Sequence, residues 1–438
     1  MRSVLHPIWA RRGCAHRLKS GRACSTSGTC LRAICPRPIR PCATPYGFWM
    51  MPSKQESVDM SDALTRALDA VMADCIENNL LVGADIAVMH HGMLRYRKAW
   101  GWHDREARRR MTTDAIFRYA SLTKAIVSVA ALRLAEMGTI DLRAPVTRYL
   151  PEFQPALPSG EQPEITITHL LTHTAGLSYG FLQGEDSPYR RAGISDGLDA
   201  VPISNDENLR RLGQVPLFYA PGTQWEYSLA TDVLGSVIEH VTHETLSAAV
   251  RRLITEPAGM RDTDFRPTDR SRVSVPYLDG DPVPRRMQAQ TFAAIPTGIV
   301  HFGPERAWTP GTAESGGAGL FGSADDYVRF LELLRNGGAP LLGLNSMRLL
   351  VTNAIGDLSV SFLGPGWGFG LGVAVLKDPV IAATPQAAGT WLWSGAYGNH
   401  WFVDPANALS VVILTNTAFA GMAGPVPDRI RDTIYARL

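Results

Sequence analysis

Two serines in this 438-residue chain sit in patterns that could do nucleophilic chemistry. The first is Ser195, in Gly193-Ile194-Ser195-Asp196-Gly197. That is G-x-S-x-G, the strained strand-to-helix turn that exposes a serine in many hydrolases. The second is Ser121, in Ser121-Leu122-Thr123-Lys124. On a helix, residues i and i+3 share a face, so the Ser121 hydroxyl and the Lys124 amine can meet. A serine hydroxyl is a weak nucleophile and needs a base beside it. A lysine serves as that base where its ammonium is disfavoured. An apolar helix and the positive helix end at its first turn both act that way. The same helix start offers the Ser121 backbone N–H to a developing oxyanion.

The surrounding elements separate the two. G-x-S-x-G works when a buried apolar strand runs into it and a helix follows. Here the approach is EDSPYRRA, polar and broken by Pro188, and the continuation LDAVPIS contains a proline. Ser195 is therefore expected in a surface turn of the loop-rich stretch near the cleft. Ser121 instead opens SLTKAIVSVAALRLAEMG, a helix so apolar that it must be central, ended by Gly138.

Further elements follow from periodicity. A helix is expected over 61–79 with Ser61 as N-cap, then two strands over 81–104 turning at HHG. ITHLLTHTAGL has a helical core expected to end near Gly176, and 178–215 reads as polar and irregular. PGTQWEYSLATDVLGSVIEHVT runs from a turn into an amphipathic helix. Residues 262–312, dense in Pro, Gly and Arg, read as an excursion over the surface. SADDYVRFLELLRNGG is a capped helix. Strands return over 367–376, 389–405 and 408–416, followed by a terminal helix. The expected architecture is α/β plus all-α: an antiparallel sheet built from both termini, flanked by helices, with a large helical lobe inserted. The expected boundaries are 58–120 and 365–438 for the sheet lobe and 121–364 for the helical lobe.

Residues 1–57 stand apart. They hold ten of the 43 Lys/Arg but one of the 41 Asp/Glu, and five of the six cysteines. This basic, Ser-containing segment is read as an upstream extension outside the fold, with an organellar targeting segment as the alternative. The body is mildly acidic, which gives no pull toward nucleic acid or anionic membrane. Cys75 alone in the body suits a reducing, cytoplasmic compartment rather than a disulfide framework. No uninterrupted apolar stretch is long enough to span a membrane.

Several patterns carry bland readings. His169 and His173 are at i, i+4, but HLLTH lacks the glutamate of a metalloprotease helix, so no metal site is expected. GPGWGFG leads a strand rather than a helix, against phosphate cradling. His400 and Asp404 could serve Ser195 only in an order that hydrolases of that fold do not use. The aromatics Trp391, Trp393, Tyr397 and Trp401 read as core, with Trp393 and Tyr397 also able to line a pocket.

Six ordered stretches change the weighting toward Ser121. They are FRYASLTKAIV (117–127), ITHLLTHTAGL (167–177), PGTQWEYSLATDVLG (221–235), SGGAGLFGSADD (315–326), GPGWGFGLG (364–372) and WSGAYGNHWFVDP (393–405). Together they resemble the serine hydrolases of the class C β-lactamase and penicillin-binding family, and within it the family VIII carboxylesterases. The resemblance spans residues 60–438. It implies a β-lactamase/transpeptidase-like fold and no cofactor. It implies Ser121 as acylated nucleophile, with Lys124 and Tyr227 sharing the general base and acid work. The backbone N–H groups of Ser121 and Ala396 would form the oxyanion hole. Trp393, Ser394, Gly395 and Tyr397 would meet substrate, with Gly395 letting the strand backbone approach it.

The chain also departs from the lactamase pattern. Leu229 stands where an asparagine is usual, and Trp393 where a lysine is usual. Both changes imply an apolar pocket without a fixed cation, hence a neutral small-molecule ester and little β-lactam turnover. A β-lactamase, a D-Ala-D-Ala peptidase or an acyltransferase would use the same residues. A penicillin-binding module would acylate and stall.

Overall fold

The structure, a computed structural model, describes residues 54–184 and 186–438. Expectations for the first 53 residues lie outside it. In chain order the principal elements are α1 (Lys54–Glu77), β1 (Gly83–His90), β2 (Met93–Asp104), β3 (Arg109–Arg110), α2 (Thr123–Glu136), α3 (Ile167–Leu171) and α4 (Asn205–Gln214). These are followed by α5 (Ala230–Thr242), β4 (Thr291–Ile295), β5 (Gly298–Phe302), α6 (Ala324–Arg335), β6 (Trp367–Phe369) and β7 (Ala374–Leu376). The chain ends with β8 (Trp391–Gly395), β9 (Asn399–Asp404), β10 (Leu409–Thr415) and α7 (Pro425–Tyr435).

Eight strands form one sheet in the order β6-β7-β8-β9-β10-β1-β2-β3. The first and last parts of the chain meet at its centre, where β1 runs antiparallel to β10 with Ala84 opposite Thr415. Both strands are almost wholly buried, which is why they read as near-continuous apolar runs. The terminal helices pack together on the sheet, with Leu68, Met72, Ile430 and Ile434 buried and Arg429 paired to Asp74 at 2.7 Å. Among the described residues no helix is long and apolar enough to cross a membrane.

Helix α2 is the hub of the molecule. Every residue from Thr123 to Leu132 is buried, Lys124 and Ser128 included. Fully burying Ile126, Val127, Val129 and Leu132 contributes on the order of 1.5–3 kcal/mol each. It packs against α5 and against the helical turns around 246–258.

Several expectations are corrected. Helix α1 begins at Lys54, so Ser61 is inside it rather than at its cap. Helix α3 ends at Leu171, not near Gly176, because His173 takes a left-handed φ of +56°. The stretch 178–215 contains α4, capped by Ser204, whose side chain accepts from the Glu207 N–H. Residues 262–312 are more than a surface excursion. Their hairpin β4–β5 buries Ala293, Val300 and Phe302 in a second apolar cluster with Ala120, Tyr397 and Phe419. Helix α6, inside the inserted stretch, lies on the sheet: Glu332 accepts from Ser410 of β10 at 2.6 Å, and the Tyr327 ring meets Trp401. Trp391 and Trp393 are on β8 and Trp401 is on β9, so the tryptophans span a hairpin rather than one strand.

Candidate active site

The stretch Ala120–Leu122 is a single tight turn leading into α2. Ala120 has φ +49°, a left-handed conformation that costs an alanine about 1 kcal/mol. The surroundings hold it there. The Tyr119 N–H donates to Leu320 O at 2.9 Å, and its hydroxyl to Ser323 O at 2.6 Å. Asn399 Nδ2 donates to Arg118 O at 2.7 Å while its Oδ1 accepts the Thr415 N–H. Gly395 presses against the same turn: a Cβ there would lie 2.4 Å from Tyr119 O. Its missing side chain thus brings β8 against the Ser121 turn, rather than against substrate as expected.

Three functional groups converge beyond that turn. Tyr227 Oη donates to Ser121 Oγ at 2.5 Å. Lys124 Nζ lies 3.4 Å from the same oxygen and 4.6 Å from the centre of the Tyr227 ring. Tyr227 arrives on the segment between the Pro221-Gly222 turn and α5. His173 backs it, with ring centres 5.1 Å apart and His173 Nδ1 3.0 Å from Ser228 Oγ. Burial, and secondarily the charge of Lys124, hold the His173 imidazole well below its usual range, so it is neutral. Trp393 Nε1 lies 3.4 Å from Tyr227 Oη.

Lys124 is 1% exposed and fully engaged. Besides Ser121 it donates to Tyr179 Oη and Gly317 O, each at 2.8 Å. Burial, reinforced by Tyr227 and Asp232, pushes the Tyr179 phenol well above the ordinary tyrosine value, so it stays protonated. Behind Gly317, Asp232 Oδ1 accepts from Ser315 Oγ at 2.5 Å and the Gly317 N–H at 3.2 Å. Burial raises the Asp232 carboxyl, and the attraction of Lys124 opposes this. A Cβ on Gly317 would lie 2.4 Å from Asp232 Oδ2 and 3.2 Å from Lys124 Nζ. Tyr179, Gly317, Asp232 and Asn399 were not singled out from the sequence. The dense glycines of SGGAG were the available signal, since each marks a close backbone approach.

Ser121, Tyr179, Tyr227, Trp393, Ser394 and Ala396 open onto one cavity of about 440 Å³. Its walls are largely apolar, with Phe181, Leu198, Phe362 and Leu363 among them, and His400, Asp428 and Arg431 also line it. Two expected lining residues are elsewhere. Gly395 is buried at the end of β8 against the Ser121 turn, and Tyr397 is 5% exposed, its ring packed on Phe302 at 5.0 Å. Leu229 is also not a wall residue. It is fully buried at the start of α5, its N–H donating to Ser178 O. The apolar character of the cleft comes from Trp393 and from side chains the sequence reading did not single out. Among the described residues, the Ala396 N–H donates to no backbone carbonyl.

The alternative constellations do not assemble. Ser195 is 3% exposed, not in a surface turn, and its hydroxyl donates to Asp199 Oδ1 at 2.8 Å, with no histidine or lysine among the described residues hydrogen-bonded to it. His400 Nδ1 lies 3.2 Å from Met422 O, whereas Asp404 accepts from Tyr435 and Asn407. His169 closes a capping box with Thr166 at the start of α3. Among the described residues no group of three or more His, Cys, Asp or Glu side chains could hold a metal ion.

A serine, lysine and tyrosine meeting at the start of a buried helix, beside an antiparallel sheet built from both chain ends, define a β-lactamase-like serine hydrolase. Residues 68–434 match the β-lactamase family, and the chain belongs to it. Esterase EstB of Burkholderia gladioli is 49% identical over 378 residues, covering 86% of this chain and 96% of its own. The solved structure of EstCE1, described as a hydrolase with promiscuous acyltransferase activity, superposes with a TM-score of 0.83 at 40% identity, over 86% of this chain and 99% of its own. A penicillin-binding protein homologue from Caulobacter crescentus shares the fold, with a TM-score of 0.65 at 21% identity over 87% of this chain and 98% of its own.

Proposed function

We propose that the protein is a serine carboxylesterase that hydrolyses short-to-medium acyl esters through an acyl-enzyme on Ser121. The observation that carries this reading is the Tyr227–Ser121–Lys124 triangle opening onto an apolar cleft beside Trp393. As Ser121 Oγ bonds the ester carbonyl carbon, its proton passes to the Tyr227–Lys124 pair, which shares the base between two coupled groups. The carbonyl oxygen takes up negative charge facing the N–H groups of Ser121 and Ala396. Each such donor contributes on the order of 10²–10³ in rate. The carbon–oxygen bond to the alcohol then breaks, and Tyr227 returns the proton to the departing oxygen. Water repeats the sequence in reverse and frees the acid. Tyr179 and Gly317 O fix the Lys124 amine, so the base needs no rearrangement.

A second reading is acyl transfer to an alcohol. The apolar walls favour an alcohol over water at the deacylation step, and the likeness to EstCE1 supports it. The body's cysteine, Cys75, is buried and free, in keeping with a cytoplasmic location. A turnover panel tests the assignment. Short p-nitrophenyl esters should be hydrolysed far faster than nitrocefin or a D-Ala-D-Ala peptide. Nitrocefin turnover above ester turnover would contradict it, and a single acylation burst without release would mark a binding module.

A further inference from the structure

The Gly193–Gly197 turn supplies no nucleophile, yet it is tied down on every side. Ser195 Oγ donates to Asp199 and accepts the Gly197 N–H at 3.1 Å. The Ser195 backbone exchanges hydrogen bonds with the Asn208 side chain at 2.9 and 3.2 Å. Arg211 Nη1 donates to Gly193 O at 2.8 Å. Gly193 and Gly197 have φ of +65° and +78°, and a Cβ on Gly197 would lie 2.2 Å from Ser315 Oγ. This much restraint directs Asp196 into the cleft that holds Ser121.

The environment of Asp196 is unusual for a carboxyl. Its Oδ1 accepts the Gly180 N–H at 2.7 Å, and among the described residues no cationic side chain hydrogen-bonds to it. Phe181 and Leu198 share its wall of the cavity, and the Phe181 ring stacks on Tyr179 with centres 4.7 Å apart. Burial raises the carboxyl to about 7. Asp199 and Asp232 add to this, while the Gly180 N–H and Arg190 oppose it. The Arg190 guanidinium is itself engaged with Ile299 O. Buried carboxyls are normally paired with a cation, and aromatic faces attract cations.

We propose that Asp196 and the half-buried Phe181 ring form a subsite for a cationic ammonium group on the ester, and that this subsite rejects carboxylates. The proposal rests on the esterase reading and refines its substrate class. A quaternary ammonium would place its charge toward the Asp196 carboxylate and its methyl groups on the Phe181 ring, which Tyr179 backs from the other side. A carboxylate in the same place would face a like charge in an apolar cavity.

The test compares three p-nitrophenyl esters of matched length at pH 8.5. They are the butyrate, the 4-trimethylammoniobutyrate and the hemiglutarate. The full-length protein should prefer the ammonium ester over the carboxylate ester by about thirtyfold or more in kcat/KM, mainly through KM. Asp196→Asn should reduce that ratio at least about tenfold. An unchanged ratio in a folded variant would overturn the subsite, with Asp196→Ser as the substitute if Asp196→Asn does not fold. Failure to hydrolyse the butyrate would instead overturn the esterase reading. The subsite would then be judged by calorimetry on Ser121→Ala with butyltrimethylammonium and butyrate. Asp196-dependent binding of the cation alone supports it, and equal binding of both contradicts it.

Discussion

At the scale of single residues, the proposed chemistry rests on three side chains and on what immobilises them. Ser121→Ala removes the atom to be acylated, so ester hydrolysis should fall by 10³ or more, read as kcat/KM on a p-nitrophenyl ester. Tyr227→Phe keeps the ring packing against His173 and Trp393 but removes the hydroxyl on Ser121, and kcat should fall by about 10²–10⁴. Ser195→Ala should act on stability instead. It deletes a part-buried hydrogen bond to Asp199 and a buried one from Gly197. The cost should be about 1–2 kcal/mol in denaturant unfolding, with kcat on a neutral ester falling less than tenfold. Ser121 and Lys124 were legible because an i, i+3 spacing at a helix start fixes their relation. Tyr179 was not. It reaches Lys124 from 55 residues away, and nothing local to SYGF marks that contact.

At the scale of elements, the site depends on β8 pressing its backbone against the Ser121 turn. Gly395→Val would drive a side chain into Tyr119 O and Leu122. Overpacking of this kind costs typically about 1–3 kcal/mol. Thermal unfolding should register that loss, and kcat should drop with it because the Ser121 and Ala396 N–H groups move apart. Unchanged kcat in the folded variant would show that the β8 contact does not set the geometry. The strands β1 and β10 and the buried helix α2 were readable from their nearly unbroken apolar runs. The hairpin β4–β5 was not, because Pro, Gly and Arg dominate its flanks. Its inward residues, Ala293, Val300 and Phe302, face a local cluster around Tyr397 rather than the main core. The same cluster explains why Tyr397 packs behind the cleft.

At the scale of the whole molecule, burial of titratable groups links stability to pH in opposing directions. His400 is pushed down to about 4, chiefly by burial. Below pH 6.5 the unfolded chain takes up that proton and the folded chain resists it, so this group's contribution is lost as pH falls toward 4. The full shift is worth about 3 kcal/mol as an upper bound. Burial raises Asp85 and Asp196 to about 7, which acts the other way over the same range. The measurable quantity is therefore a difference. Denaturant unfolding at pH 7 and pH 4.5 should show His400→Gln losing less stability on acidification than the wild type. An identical loss in both proteins would show that His400 does not contribute.

The central claim is that Ser121 is the acylated atom, and trapping the acyl-enzyme tests it most directly. The protein is incubated with a p-nitrophenyl phosphonate ester, which forms a stable bond to an activated serine and releases p-nitrophenol. Intact mass should rise by one phosphonyl group as activity is lost, and peptide mapping should place that group on Ser121. Complete inactivation with the label on Ser195, or on a peptide lacking Ser121, would contradict the account.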